Sequence, residues 1–271
     1  MPITINKKIN QHNAIIEATY KVKLSEKRLI LACIAEIKHN EPLKDFYEIS
    51  AKKFADLYGI SMDTAYSELQ QAAETLYERS VVIKDVYKRS RTKFRWVEAT
   101  QYYDGEGKIG IQFTKWIAPY LSALNDQYTS YRLSAIANMK SIYSLRLYEL
   151  LIQFRNTRKR AITVSEFKRI LGLEEVYKRF TDLKKRVIEP SIKEINEYSD
   201  IRVNYFVKKK NRTPWSIDFI FSEKEQIDSI KKNISKQESK AETKEENEKK
   251  WKNNILKLGY NPDEIIKKSY N

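Results

Sequence analysis

The sequence has 271 residues, of which 41% are hydrophobic, and a formal net charge of +15. This length allows one large domain or two small ones, and the excess of positive charge favours a polyanionic partner. The single cysteine, Cys33, excludes a disulfide framework, and no apolar run is long enough to span a membrane. We therefore expect a cytoplasmic protein that is neither secreted nor membrane-bound. Because glycine is scarce, we expect mostly helices and a few hairpins.

The sequence pattern in the first third of the chain predicts three helices. Residues 25–38 and 50–58 have helical apolar spacing. Residues 63–79 form the third predicted helix, with Asp63 as its N-cap and a single apolar stripe. The short turn between the second and third helices is typical of a helix-turn-helix.

The pattern then alternates between apolar and polar residues, which predicts strands. The candidate strands are 81–88, 93–103 and 107–113, and the turn signal "DGEG" joins the last two. A helix-turn-helix followed by a hairpin is the order of a winged helix-turn-helix domain. The basic residues that we assign to this first wing are Arg89, Arg91 and Lys93.

The second half begins with a helix at about 115–124, the predicted strand "QYTSYRL" and a long helix at 134–154. A basic loop, "RNTRKR", follows at 155–160 and contains Arg158, Lys159 and Arg160. Ser165 is the predicted cap of a short helix. An amphipathic helix is predicted at 176–196, "VYKRFTDLKKRVIEPSIKEIN", and a hairpin is predicted at 201–221.

The chain repeats itself, and the repeat predicts its architecture. Phe54, Gly59, Tyr66 and Leu76 match Phe167, Gly172, Tyr177 and Val187, at spacings of 5, 7, 10 and 5, 5, 10. A predicted hairpin follows each copy. We predict an α+β, mostly helical fold of two tandem winged helix-turn-helix domains, residues 1–125 and 126–221. Residues 222–271 form a charged C-terminal tail, with a short helix predicted at 261–268.

Positive charge is concentrated in the second predicted domain. Residues 126–221 carry 20 Lys and Arg against 11 Asp and Glu, whereas residues 1–125 carry 19 against 15. The helix at 176–196 has one basic face opposite an apolar face, and its position in the module is the one that enters the major groove of DNA. The candidate DNA contacts on this helix are Lys178, Arg179, Asp182, Lys185, Arg186 and Lys193. Those on the second wing are Lys208, Lys209, Lys210 and Arg212.

Different roles are expected for these side chains. Arg179 and Arg186 are the candidates for bidentate contacts with guanine, and Asp182 can accept from cytosine or orient an arginine. The lysines are expected to hold phosphates. The corresponding face of residues 63–79 is polar and carries acids. The first domain is therefore expected to make weaker DNA contacts, protein contacts or both.

The composition argues against an enzyme. The two histidines, His12 and His39, are 27 residues apart and form no metal-binding pair, and we interpret both as incidental surface residues. No phosphate-binding G-x-x-x-x-G-K-[ST] motif is present. We expect no catalytic residue, no metal and no cofactor.

Three stretches resemble the Rep initiators of iteron-containing theta-replicating plasmids, the F-plasmid type. They are "NAIIEATYKVKLSEKRLILACIAEI", "QYTSYRLSAIANMKSIYSLRLYELLIQF" and "FKRILGLEEVYKRFTDLKKRVIEPSIKEIN". The resemblance covers roughly residues 8–221. It implies two winged-helix domains, with the principal base contacts in the second, at Lys178, Arg179, Lys185 and Arg186.

The resemblance also implies a bacterial plasmid replication initiator. Monomers of such proteins bind directly repeated origin sequences (iterons), help to open the origin and recruit host replication proteins such as an initiator and a helicase. Dimers, formed through the first domain, commonly repress their own gene. Two alternatives stay open: a transcriptional regulator of the same fold and a non-specific DNA-packing protein.

Overall fold

The computed structural model describes residues 7–38, 41–85, 89–103, 105–122 and 127–225, together with residues 249 and 253. The chain divides into two units, Met1–Ser222 and Glu223–Asn271. None of the helices in the described ranges is long and apolar enough to cross a membrane. The helix predicted at 261–268 and most of the predicted tail lie outside the described residues.

The described residues form nine α-helices and ten strands. The helices are α1 (Asn13–Ile16), α2 (Leu24–Ile34), α3 (Ala51–Tyr58), α4 (Met62–Leu76), α5 (Ala118–Leu121), α6 (Ile142–Ile152), α7 (Val164–Ile170), α8 (Phe180–Leu183) and α9 (Glu189–Tyr198). The strands are β1 (Lys8–His12), β2 (Tyr47–Ser50), β3 (Ser80–Asp85), β4 (Ser90–Arg95), β5 (Val97–Tyr103), β6 (Lys108–Phe113), β7 (Tyr128–Arg132), β8 (Lys159–Thr163), β9 (Ile201–Lys210) and β10 (Thr213–Glu223). A 3₁₀ turn spans Leu133–Ala135, and a π-helical turn spans Lys184–Ile188.

Two copies of one module account for most of these elements. The first copy has helices α2, α3 and α4 and a three-stranded sheet in the order β2-β6-β5. The second copy has helices α6 and α7, the helical run from α8 to α9, and a sheet in the order β8-β10-β9. In each copy the last two strands form an antiparallel wing. The predicted pair of winged helices is therefore confirmed.

The repeat is accurate at some positions and misleading at others. Phe54 and Phe167 are both fully buried, and Gly59 and Gly172 both have positive φ, at 61° and 66°. Positive φ costs glycine little, which explains why each short helix ends there. Tyr66 lies on α4, however, whereas Tyr177 lies in a turn with φ of 55°. These two tyrosines are therefore not structural equivalents.

The helix predicted at 176–196 begins later than expected, because residues 171–179 form a long turn between α7 and α8. Lys178 therefore lies in the turn, and Arg179 is the N-cap of α8. From Phe180 the helical run continues to Tyr198 through Pro190. Because proline has no N–H, the ladder changes locally, and the Glu189 N–H bonds to the Lys184 carbonyl five residues back. The apolar pattern leaves two expectations at Pro190: a helix that continues with a kink, or one that breaks for less than a turn. The structure shows that the helix continues, with a π turn before the proline.

The first wing was predicted in the wrong place. The wing of the first copy is β5–β6, whose turn contains Gly105 and Gly107 with φ of 78° and 57°. Strands β3 and β4 instead form a separate two-stranded hairpin inserted between α4 and the wing. Alternating apolar residues marked both hairpins as strands, but they did not show which strand joins the domain sheet.

Three smaller boundaries also differ from the predictions. The helix predicted at 134–154 is shorter, at Ile142–Ile152, because a 3₁₀ turn precedes it and Ser141 caps it. Thr163, not Ser165, caps α7, accepting from the Glu166 N–H at 3.2 Å. Ser61, not Asp63, caps α4, accepting from the Thr64 N–H at 3.2 Å.

The two copies share one continuous hydrophobic core. Strand β1, from the start of the chain, pairs with β7 from the other side of the predicted boundary at 125/126. Their inner side chains, such as Ile9 and Tyr131, join buried residues of α2 and α6 in that core. Domain limits within residues 1–221 therefore stay a prediction from the sequence repeat.

Candidate nucleic-acid interface

The helical run from α8 to α9 has one buried side and one charged side. Leu183, Val187 and Ile188 are at most 1% exposed and anchor the run to the core of the second copy. Lys185 and Arg186 lie between them in sequence and are exposed. Among the described residues, neither has a partner in an ion pair. Their charges therefore face solvent, where an anionic ligand can reach them.

Arg179 and Lys178 extend this charged side around the start of the run. Both are exposed, and the backbone of Arg179 is extended. Its carbonyl accepts from the Asp182 N–H at 3.2 Å, which fixes the first turn of α8. An arginine at an N-cap projects from the end of the helix and can reach beyond the helical face.

Two acidic side chains reduce the positive charge of this surface. Asp182 is half-buried in the first turn of α8, where a negative charge is favourable. Glu189 lies 3.5 Å from the Lys184 ammonium and accepts from the Tyr205 hydroxyl at 3.3 Å. Lys184 is thereby occupied, whereas Lys185 and Arg186 are not.

The second wing ends in a tight turn that carries cations. Asn211 and Arg212 have φ of 49° and 66°, as a two-residue hairpin turn of the primed type requires. Lys209, Lys210 and Arg212 are exposed. Lys208 forms an ion pair with Asp218 at 2.6 Å and is therefore less free to bind a phosphate.

The basic loop at 155–160 is only partly available. Arg158 and Lys159 are exposed, and Arg158 adopts φ of 57°. Arg160 is 8% exposed, and its guanidinium donates to the Leu150 carbonyl at 2.8 Å and to Glu17 at 3.1 Å. The prediction that Arg160 contacts DNA is therefore wrong, because its donors are used inside the protein.

A groove of about 760 Å³ lies beside the start of the helical run. Lys178, Phe180 and Trp215 line it, together with Lys168 of α7 and Lys84 of the β3–β4 hairpin. Trp215 is 53% exposed. The sequence did not single out Trp215, Lys84 or Lys168, since each lies in an ordinary strand or helix pattern.

The β3–β4 hairpin therefore lies close to the second copy. Lys84 is paired in register with Arg91, and Arg89, Arg91 and Lys93 are all exposed. These three cations belong to a hairpin beside the groove, not to the first wing. They add positive charge from the first copy beside the second copy.

The outer face of α4 is less suited to phosphate. Thr75 donates to buried Glu26 at 2.5 Å, and Glu68 lies 3.6 Å from Arg28, so both point towards α2. Met62 and Tyr66 are 51% and 52% exposed on α4. The face of the first copy is thus polar and aromatic, without a cluster of free cations.

Lys193 completes the set of predicted contacts on the helical run. It is exposed on α9, beyond the π turn and Pro190. Its neighbours Ser191 and Ile195 are buried, so α9 presents this lysine on its outer side while anchoring the domain.

Among the described residues, neither the histidine nor the cysteine indicates a metal site. His12 caps α1, with its Nδ1 accepting from the Ala14 N–H at 3.1 Å, and burial lowers its pKa. His12 is therefore a structural residue, and His39 lies outside the described residues. Cys33 is buried, which raises the pKa of its thiol. Within the described ranges, no three His, Cys, Asp or Glu side chains are grouped to hold a metal ion.

Two family models match adjoining parts of the chain. Residues 8–152 match the model described as "Initiator Replication protein, WH1". Residues 163–221 match the model described as "Initiator Rep protein, WH2". The first match covers the first winged-helix copy together with β1, β7 and α6, and the second covers α7, the helical run and the basic wing.

The chain is also similar in sequence to curated replication proteins and in fold to a solved structure. A "Replication initiation protein" of Escherichia coli is 28% identical over 227 residues, covering 80% of this chain and 70% of the relative. The "PI protein" of Escherichia coli is 25% identical over 245 residues, covering 78% and 80%. The fold matches the crystal structure of Pi initiator protein in complex with iteron DNA, at 24% identity and a TM-score of 0.72. That match covers 82% of this chain and 99% of the other.

Proposed function

This chain belongs to the family of initiator replication proteins with two winged-helix domains, and we propose that it initiates plasmid replication by binding iterons at the origin. One observation supports the DNA-binding step most directly. Lys185 and Arg186 are exposed on the helical run whose opposite side is buried in the second copy. In a winged helix this run is the element that enters the major groove.

We assign base reading to the arginines and phosphate binding to the lysines. An arginine fork matches the O6 and N7 acceptors of guanine, which a lysine cannot contact with the same geometry. Arg179 and Arg186 flank the first turns of the run. The wing lysines Lys209 and Lys210 are exposed near the end of the hairpin, where we expect them to contact the DNA backbone.

Alanine substitution of Arg186 is expected to weaken specific binding by about 1–3 kcal/mol and to relax base choice at one position of the site. Lys209→Ala is expected to weaken binding to all sequences alike. Binding selections with randomised sites measure both effects. These assignments would be reversed if Lys209→Ala changed the sequence preference and Arg186→Ala left it unchanged.

Footprinting on the cognate origin tests the proposed function itself. Two modules that span two helical turns should protect direct repeats of about 20 bp. Protection of no repeated sequence contradicts the proposal. Loss of plasmid maintenance when the gene is deleted supports initiation, whereas altered transcription alone supports the regulator alternative.

We further propose that iterons are bound by monomers and that dimers, formed through the first copy, repress the protein's own gene. Met62 and Tyr66 on α4 and Tyr102 on the first wing are 42–52% exposed, and this aromatic surface suits protein association better than phosphate binding. Sedimentation of the free protein and of its iteron complex measures the two states.

Recruitment of host replication proteins, an initiator and a helicase, completes the proposal. It rests on membership of the family, since opening an origin requires that a helicase be loaded there. Pull-down of those purified host proteins by the iteron complex, with unrelated DNA as the control, tests this step.

A further inference from the structure

A short segment that precedes α2 of the first copy, residues 17–20, accepts hydrogen bonds from three arginines of the second copy. Residues 17–20 connect α1 to the extended stretch before α2. On one side, Thr19 exchanges two backbone hydrogen bonds with Val82 of β3, at 3.0 Å and 2.9 Å. This segment is therefore tied to the β3–β4 hairpin before any contact with the second copy is counted.

Arg169 of α7 makes the most extensive contact. Its guanidinium donates to the Thr19 hydroxyl at 2.5 Å and to the Glu17 carbonyl at 3.3 Å. The same guanidinium donates to both carboxylate oxygens of Glu166, at 2.9 Å and 2.5 Å, which fixes its plane. Such a bidentate partner leaves the side chain little freedom to turn away from the segment.

Arg160 and Arg146 approach the same segment from β8 and α6. Arg160 donates to the Glu17 carboxylate at 3.1 Å and also to the Leu150 carbonyl of α6. Arg146 donates to the Ala18 carbonyl at 2.9 Å and to the Ile170 carbonyl at 3.2 Å. It also donates to the Tyr20 hydroxyl.

We name Arg146, Arg160 and Arg169 the arginine clamp. All three side chains are at most 11% exposed, so their hydrogen bonds are little weakened by competition with water. Each also donates to a residue of the second copy: Arg169 to Glu166, Arg160 to Leu150 and Arg146 to Ile170. The clamp is therefore a polar connection between the copies, beside the hydrophobic core that they share.

The neighbouring backbone also packs closely against this region. A Cβ atom at Gly172 would lie 2.6 Å from the Cγ of Lys21, the residue that follows the clamped segment. Gly172 ends the helix that carries Arg169. The start of the long turn before α8 is thus seated on the first copy.

We propose that the arginine clamp sets the distance and the helical phase between two DNA-contacting surfaces, so that the protein measures the spacing within its site. These surfaces are the helical run of the second copy and the basic β3–β4 hairpin of the first copy, which Thr19 ties to the clamped segment. This inference rests on the proposed binding to iterons. Two rigidly joined domains bind most tightly to a site whose two parts are separated by the distance between the domains. The additional affinity from binding both parts at once is lost when the parts are out of phase. One added base pair moves the second part by about 3.4 Å and rotates it by about 34–36°.

The test compares the footprinted iteron with versions that carry one or two extra base pairs between the parts protected by the two copies. Protection lost in Arg186→Ala identifies the part bound by the second copy. The wild-type protein is expected to lose at least about tenfold in affinity with two added base pairs. Arg169→Ala is expected to bind the original site about tenfold more weakly and to bind all spacings within about threefold of one another.

Arg79→Ala is the matched control. Arg79 pairs with buried Glu26 at 3.0 Å, but both residues belong to the first copy. This variant loses a similar ion pair without releasing the second copy, and it is expected to keep the spacing discrimination of the wild type. Thermal unfolding of each variant confirms that the binding measurements are made on folded protein.

A second measurement is independent of DNA. Spin labels at Ser67→Cys and Arg202→Cys, both exposed, report the distance between the copies. The distance distribution is expected to be narrow in the wild type and broad in Arg169→Ala. If Arg169→Ala does not fold, Glu17→Gln combined with Thr19→Val keeps all three arginines. This double variant removes the carboxylate that pairs with Arg160 and the hydroxyl that accepts from Arg169.

The outcomes separate the inference from the proposed function. Wild-type protein that binds no iteron refutes the function. The proposed role of the clamp is overturned if the wild type binds the iteron while folded clamp variants keep the same spacing discrimination. A narrow distance distribution in those variants would contradict it as well.

Discussion

Glu149→Gln is expected to destabilise the protein by about 3–5 kcal/mol, because it leaves a buried ammonium group without its counterion. Glu149 and Lys27 are both fully buried and lie 2.8 Å apart. Gln11 and Tyr131 donate to the same carboxylate oxygen at 2.9 Å and 2.7 Å. The amide can still accept hydrogen bonds, but it supplies no negative charge to Lys27.

The same carboxylate makes stability depend on pH. Burial alone would raise the pKa of Glu149, but the charges of Lys27 and Arg146 outweigh it and lower the pKa below the usual 4.5. A group whose pKa is lower in the folded state stabilises the fold above the unfolded pKa. This contribution is lost as pH falls through the folded value. The wild type should therefore lose stability below about pH 4.5, and Glu149→Gln should lose less of it there.

Urea unfolding at pH 7 and at pH 4 measures both effects. Glu48→Gln is the control, since Glu48 forms an ion pair with Lys108 at 3.1 Å but its side chain is 46% exposed. Such a surface pair contributes about 0–1 kcal/mol. A loss of under about 1 kcal/mol in Glu149→Gln would show that the buried pair is not required for stability.

Affinity for the iteron is expected to fall by a factor of about 10³–10⁵ between 50 and 200 mM salt, as 6–10 phosphate contacts require. The exposed cations at the candidate interface are sufficient for this number. They are Lys178, Arg179, Lys185, Arg186, Lys193, Lys209, Lys210, Arg212, Arg158, Lys159, Arg89, Arg91 and Lys93. Each phosphate contact releases condensed counterions, so the logarithm of the affinity falls linearly with the logarithm of salt concentration.

Removing Lys209 and Lys210 together should reduce the magnitude of this salt slope by about 2, with little change in sequence preference. Titrations of labelled iteron DNA at several salt concentrations give the slope. Lys38→Ala is the control, since Lys38 pairs with Glu41 at 3.3 Å and belongs to none of the basic clusters. A slope near zero in the wild type would contradict binding through phosphates.

The corrections at the candidate interface have physical causes. Arg160 looks in sequence like any cation of a basic loop, yet its guanidinium is used by Leu150 and Glu17. Glu17 is 143 residues away, so no local pattern could indicate the contact. Lys178 was placed on a helix because its spacing to the apolar residues is helical, but the turn after Gly172 extends to residue 179.

The sequence by itself determined the repeated module, the concentration of charge in the second copy and the apolar stripe that keeps its phase through Pro190. These features depend on local spacing and composition, which the chain carries wherever it folds. Only the tertiary structure decided which hairpin is the first wing, which cations face solvent and how the copies are joined. Those properties depend on contacts between residues far apart in the chain. The arginine clamp illustrates this limit, since Arg169 meets Thr19 across 150 residues.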